Sequence, residues 1–247
     1  MAANFTEGLP LLPFYDEANL PVQVVTTANG EIAFAMFGAT TEFRVRTLLT
    51  KEPETLRWID TFQADDVLWD IGANIGCYSL YAAARGVTVH AFEPSPVNFW
   101  LLTRNAGLNG FRGLTVFPYA LALRPGMTFW NPHPEPASAQ NQTLEAGTGA
   151  ALPQQSIDAL VASGVPFPTH LKIDVDGIER LILEGGVDTL GDRRVRSVLC
   201  EVTEGDPETA RIVDLLMGLG FQPPVTRHPP HYDNYHYAPS FNYLFIR

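Results

Sequence analysis

From residue 66 onward, short apolar runs alternate with helical stretches, and that alternation constrains the fold more than any other feature of the chain. Val67–Ile71, Val87–Phe92, Thr115–Phe117, His170–Val175 and Ser197–Val202 read as strands. Between them lie amphipathic segments. One opens at Ser95-Pro96 with Val97, Trp100 and Leu101 on one face, and another carries Ile178, Leu181 and Ile182. A third opens at Asp206-Pro207 and places Ile212, Leu215, Leu216 and Leu219 at i, i+3, i+4 and i+7, ending at Gly220. Strands that are apolar throughout and alternate with helices predict an α/β fold whose mostly parallel sheet is covered on both faces. Phe241–Ile246 is a closing strand, expected antiparallel at the sheet edge.

The flanks read differently. Val22–Thr27 and Glu31–Phe37 are alternating runs separated by Ala28-Asn29-Gly30, a hairpin signal. Pro53 opens a short amphipathic helix through residue 62. The organisation expected is a β-rich extension over residues 1–50 and a main domain over 51–247. Residues 124–155 are rich in Pro, Gln, Asn, Gly and Ala and show no period, so they read as a lid-like or mobile insert.

The formal net charge of −11 argues against a nucleic-acid partner, because a phosphate backbone meets net repulsion. No apolar run approaches the ~18 residues that span a bilayer, and no basic residue precedes Arg44. The expectation is therefore a soluble, cytoplasmic protein without a membrane partner. Two cysteines, Cys77 and Cys200, build neither a disulfide framework nor a four-thiolate zinc site.

Chemistry gathers at the strand ends. Asp70-Ile71-Gly72-Ala73-Asn74-Ile75-Gly76 lies where the first strand of the sheet turns into a helix, where glycines permit a tight turn and close approach of a ligand. Asn74 occupies the place of the second glycine in the dinucleotide fingerprint, and Asp70 is unhelpful to a pyrophosphate but suited to an ammonium or sulfonium. Glu93 ends the next strand about 20 residues on, where a carboxylate can accept ribose hydroxyls. The ligand expected is an adenosine with a cationic tail. Lys172 and Asp174 share a strand face, as an ion pair or as catalytic groups. Asp70, Glu93, Asp174 and Glu201 are then four carboxylates at four adjacent tips. Asp176 and Gly177 either join the site or open the following helix.

These motifs carry a resemblance. Asp70–Gly76, Phe92-Glu93-Pro94, Lys172-Ile-Asp-Val-Asp-Gly-Ile-Glu179 and Val198–Val202 together resemble the FkbM family of S-adenosylmethionine-dependent methyltransferases, and Lys51–Asp60 and Asn242–Ile246 fit the same outline. The resemblance implies a doubly wound, Rossmann-like class I methyltransferase sheet of seven strands with an antiparallel last pair. It also implies methyl transfer to a hydroxyl of a small molecule, such as a secondary metabolite or sugar. Asp70, Gly72, Asn74 and Gly76 would hold the methionine part and Glu93 the ribose, with Ala73 and Pro94 in the same cofactor motifs. Asp174 would lie near the methyl group, in a catalytic set with Lys172 and Asp176. Asp176 departs from many relatives, which place Glu there.

Glu201, Trp130 and His231 are the expected acceptor contacts, Trp130 offering a stacking surface beside Phe129. His228, His231 and His236 lack a scaffold that fixes metal-ligand geometry, and a divalent ion on Asp174, Asp176 and Glu201 is the less favoured arrangement. The competing functions are an NAD-dependent oxidoreductase and a non-catalytic nucleoside-binding module. Composition does not bear on oligomeric state.

Overall fold

The computed structural model describes residues 20–131, 142–144, 150–175, 177–225 and 240–247. Its first elements are a hairpin, β1 (Val22–Thr27) and β2 (Gly30–Ala35), then the helices α1 (Ala39–Thr47) and α2 (Pro53–Ile59). The hairpin register closes with Thr27 opposite Gly30, as the Asn-Gly signal predicts. Next come β3 (Val67–Ile71), α3 (Cys77–Ala84), β4 (Thr88–Phe92), α4 (Pro96–Asn109) and β5 (Leu114–Phe117). β6 (Ala120–Leu121), β7 (Gly126–Asn131), β8 (Gln142–Leu144) and β9 (Ala150–Gln155) form a separate sheet. The chain continues through α5 (Ile157–Ala162), β10 (His170–Ile173), α6 (Glu179–Glu184), α7 (Val187–Gly191), β11 (Ser197–Thr203), α8 (Pro207–Gly218) and β12 (Ser240–Ile246).

The central sheet runs β12-β11-β10-β3-β4-β5. Every neighbouring pair is parallel except β11 and β12, so the closing strand is antiparallel at the edge as expected. Six strands make up this sheet among the described residues, where the family outline implied seven. The strand order reverses between β3 and β10, with Asp70 opposite Lys172 and Ile71 opposite Ile173. In open α/β sheets a crevice for ligands forms beyond the carboxyl ends of the strands at such a switch point.

Alternation along the strands splits the core into two layers. Leu68 and Val89 face Leu80, Leu101 and the hairpin residues Ile32 and Phe34. Trp69, Ile71 and Phe92 face the opposite way, with Ile182, Ile212 and Leu216 from the helices of the other side. Two helices begin as their sequences require: Ser95 accepts from Asn98 N–H ahead of Pro96, and Asp206 accepts from Glu208 N–H ahead of Pro207.

The N-terminal hairpin is built into this core. Asn105 Oδ1 on α4 accepts from Ala35 N–H at 2.8 Å, and Asn109 accepts from Ala33 N–H while donating to Ala33 O. The amide side chains thereby satisfy an otherwise open edge of β2. Besides the hairpin, residues 1–50 include α1. The 124–155 segment also departs from its aperiodic composition, because β7 and β9 pair antiparallel across Gly126–Trp130 and Ala150–Gln154. Residues 132–141 and 145–149, on which much of the lid reading falls, lie outside the described residues. Among the described residues no helix is long and apolar enough to cross a membrane.

Candidate active site

Asp70 is one residue from the end of β3 and only 1% exposed. Ser79 Oγ, one turn into α3, donates to its Oδ2 at 2.5 Å. Oδ1 is buried with no hydrogen-bond partner among the described residues. Burial pushes the Asp70 carboxyl up, against the pull of Lys172 and Ser79. A buried carboxylate oxygen left without a donor is costly and calls for one.

The loop after β3 is fixed by its backbone. Gly72 and Ala73 N–H both donate to Phe92 O, at 3.0 and 3.1 Å. Gly72 has φ +82°, and a Cβ there would stand 1.9 Å from the Asp174 carbonyl oxygen. The missing Cβ leaves room for the backbone after β10, which lets the two strand tips approach. Gly76, at φ +90°, makes similar room for Leu102. Asn74 adopts a left-handed conformation at φ 52°, which asparagine tolerates by bonding locally, here Oδ1 accepting from Ile75 N–H at 3.0 Å.

Glu93, buried directly after β4, is clamped between two loops. Oε2 accepts from Asn74 N–H at 2.8 Å in the loop after β3, and Oε1 from Ser95 N–H at 2.9 Å in its own loop. Burial pushes its carboxyl up to about 7, even though both backbone donors pull the other way. Each oxygen keeps acceptor capacity for further donors.

On the other side of the switch point, Lys172 Nζ donates to Asp174 Oδ2 at 2.5 Å and lies 4.9 Å over the Tyr78 ring. Burial opposes the charge on Lys172, but Asp174, Asp70 and Glu52 outweigh it and hold the ammonium protonated beyond its usual range. Burial likewise opposes ionisation of Asp174, yet Lys172 and Lys51 drive its carboxyl well below the usual range. Glu201, hydrogen-bonded to Asp174 from β11, moves in the opposite direction, first by burial and then by the Asp174 charge. The two shifts are linked, because the charge on Asp174 opposes a second charge on Glu201.

Glu52 is a member of this cluster that the sequence reading missed. It precedes α2 and accepts from Asn242 Nδ2 at 3.0 Å, from Thr55 Oγ1 at 3.3 Å and from Lys51 Nζ at 3.0 Å. Burial raises its carboxyl, while Lys51 and Lys172 lower it, and the lowering prevails. Lys51 and Asn242 stood in the quoted motifs, but nothing local marks Glu52 as buried.

Asp70, Glu93, Asp174 and Glu201 thus come from β3, β4 and β10–β11 ends that neighbour one another in the sheet, as the sequence predicts. Asp176, His231 and the side chain of Trp130 lie outside the described residues. Among the described residues no three His, Cys, Asp or Glu side chains converge as a metal-ligand set.

Residues 70–223 match the family described as "Methyltransferase FkbM domain". The chain is 28% identical over 239 residues to the 31-O-demethyl-FK506 methyltransferase FkbM of Streptomyces tacrolimicus, covering 81% of this chain and 89% of that protein. It is 34% identical over 172 residues to the hexuronic acid methyltransferase AglP of Haloferax volcanii, covering 67% of this chain and 68% of that one. Among solved structures, the magnesium protoporphyrin IX methyltransferase ChlM of Synechocystis, with bound SAM, superposes with a TM-score of 0.50 at 13% identity over 86% of each chain. Trm5b of Pyrococcus abyssi gives 0.51 at 13% identity over 92% of this chain and 55% of its own. These two likenesses speak to the fold, a Rossmann-like class I sheet.

Proposed function

Since the chain belongs to the FkbM methyltransferase family, we propose that it transfers a methyl group from S-adenosylmethionine to a hydroxyl of a small-molecule acceptor. One observation carries the cofactor assignment. Asp70 presents a buried Oδ1 without a donor among the described residues, next to a loop that Glu93 ties together through Asn74 N–H. An ammonium suits the first group and a ribose diol the second, so the residues fit a cationic, phosphate-free nucleoside. The turn from Gly72 to Gly76, with Ala73 and Asn74, forms the wall between them.

S-adenosylmethionine, when bound, supplies an electrophilic methyl carbon whose bond to sulfur breaks as the acceptor oxygen attacks. The chain's residues orient and stabilise. Asp174 stays ionised against Lys172, so its Oδ atoms attract donors and positive charge but are weakly basic. Lys172 remains protonated and serves as the post that aims Asp174. Glu201, hydrogen-bonded to Asp174 and resistant to ionisation beside it, faces the acceptor on this reading. Positioning rather than proton abstraction supplies most of the rate on this reading, and the hydroxyl proton leaves to solvent as the carbon–oxygen bond forms. One relative is named for 31-O-demethyl-FK506 and the other for a hexuronic acid; both names support a small-molecule acceptor, and the first supports an oxygen as the methylated atom.

The test is transfer of labelled methyl from S-adenosylmethionine to a panel of glycosides and polyketide alcohols. Label recovered in an alkali-stable ether supports the proposal. Cofactor binding with no transfer to any hydroxyl compound in the panel contradicts it.

A further inference from the structure

Glu52 is only 7% exposed and is gripped from three elements. Thr55 Oγ1 of α2 donates to it at 3.3 Å, Asn242 Nδ2 of β12 at 3.0 Å, and the Tyr78 hydroxyl of α3 is a third donor. Lys51 Nζ at 3.0 Å and the charge of Lys172 keep it ionised against its burial. A buried carboxylate is costly to hold, and this one stands beside the groups assigned to methyl transfer.

Its charge bears on Lys172. That ammonium lies 4.9 Å over the Tyr78 ring, donates to Asp174 at 2.5 Å, and is drawn by Asp70 and Glu52 as well. Lys51 stands at the rim with 43% of its side chain exposed, so water screens it, whereas Lys172 is buried and scarcely screened. On the methyl-donor reading the sulfonium sits near Asp174, and hence near that buried positive charge. Asp174 balances Lys172 one for one, and Asp70 is taken by the cofactor's ammonium. Glu52 supplies the further negative charge that makes the site attractive to a second cation. Donor and spent product differ by one methyl group and one unit of charge, because the electron pair of the broken carbon–sulfur bond stays on sulfur. A fixed carboxylate close by therefore stabilises the donor and does little for the product.

We propose that Glu52 is a specificity-determining residue that makes the site prefer the sulfonium donor over its uncharged product, acting through its field at Lys172 and Asp174 rather than by touching either ligand. The inference rests on the methyl-donor reading of the adjoining site.

Calorimetric titration of S-adenosylmethionine and of S-adenosylhomocysteine into the full chain tests it through the ratio of their dissociation constants. Glu52→Gln keeps the shape and removes the charge. It should shift that ratio roughly 10-fold towards S-adenosylhomocysteine, the scale of one unit charge acting across several ångströms of protein. Glu52→Met removes the same charge with an apolar side chain, should shift the ratio the same way, and carries the test if the Gln variant does not fold. Glu52→Asp keeps the charge and should hold the wild-type ratio. Thr55→Val loosens Glu52 without discharging it and should hold the ratio too. Both ligands weakened alike in the uncharged variants, or neither weakened, would overturn the proposal, as would an equal shift in Glu52→Asp. Either result with wild-type binding of both ligands intact leaves the methyl-donor reading standing. A wild type that binds neither ligand removes that reading and this inference with it.

Discussion

Lys172 Nζ and Asp174 Oδ2 are 2.5 Å apart at the switch point of the sheet, the lysine 1% exposed and the aspartate 30%. The lysine stands on a strand whose neighbours are apolar, and it is there because Asp70, Glu52 and Asp174 converge on it. Its energetic role is to neutralise acids that the cofactor site needs but that the core alone could not hold.

Replacing Lys172 by Met removes that neutralisation while keeping the volume. Lys172→Met is expected to destabilise the fold by about 3–5 kcal/mol, the scale for leaving buried charges unpaired. Urea unfolding followed by circular dichroism checks it. A loss below about 1 kcal/mol would mean that the carboxylates find solvent or protons on their own.

Asp174→Asn separates two roles. With the Asp174 carboxyl held well below its usual range, the expected result is a Michaelis constant for S-adenosylmethionine raised about 10-fold or more. The fall in kcat should be less than the ~10²-fold that loss of a general base costs. Steady-state kinetics with the acceptor saturating gives both numbers, and the reverse pattern would make Asp174 the base.

Gly72→Ala addresses the contact between the strand tips. The new Cβ would stand 1.9 Å from the Asp174 carbonyl oxygen at a positive φ. The loop after β3 and the Asp174 backbone must then separate, at a cost of about 1–3 kcal/mol for the backbone strain alone. Both cofactor affinity and thermal stability should drop together. A drop in affinity alone would mean that Gly72 acts through direct ligand contact rather than through the strand tips.

Glu93 and His170 make opposed contributions to the pH dependence of stability. Glu93 is raised to about 7, so its contribution is full below the unfolded carboxylate value of about 4.3 and is lost as pH rises through about 7. His170, stacked on Phe62 at the opposite end of the sheet, is lowered by burial to about 4; Asp66 lies 3.1 Å from its Nε2, but Arg196 pairs with that same carboxylate. Its contribution is full above about 6.5 and is lost as pH falls towards 4. Other raised carboxyls, Asp70 and Glu201 among them, add to the falling limb in both proteins, so the comparison isolates Glu93. The stability of Glu93→Gln relative to the wild type should rise by on the order of 3 kcal/mol between pH 4.5 and 6.5. A difference that stays constant across that window would contradict the assignment.

Strands β3, β4, β10 and β11 were legible because buried parallel strands leave continuous apolar runs, and the tip carboxylates could be read from their ends. The small sheet of β6 to β9 was not legible. Pro153 interrupts β9, Gly126 opens β7, and the two strands meet through a register that composition does not record. Glu52 escaped for a related reason. Its burial depends on Asn242, 190 residues away, and no local pattern announces a contact of that range. The hairpin was recognised from Asn29-Gly30, but its union with the core rests on Asn105 and Asn109, polar residues that a periodicity argument passes over.

Calorimetric titration of S-adenosylhomocysteine into the wild type and Glu93→Ala, with NAD as the control ligand, tests the central assignment most directly. The account predicts binding of S-adenosylhomocysteine without binding of NAD, and a loss of about 1.5–3 kcal/mol in the variant, roughly 10- to 150-fold in Kd. An unchanged Kd in a folded Glu93→Ala protein, or NAD binding in preference to S-adenosylhomocysteine, would contradict it.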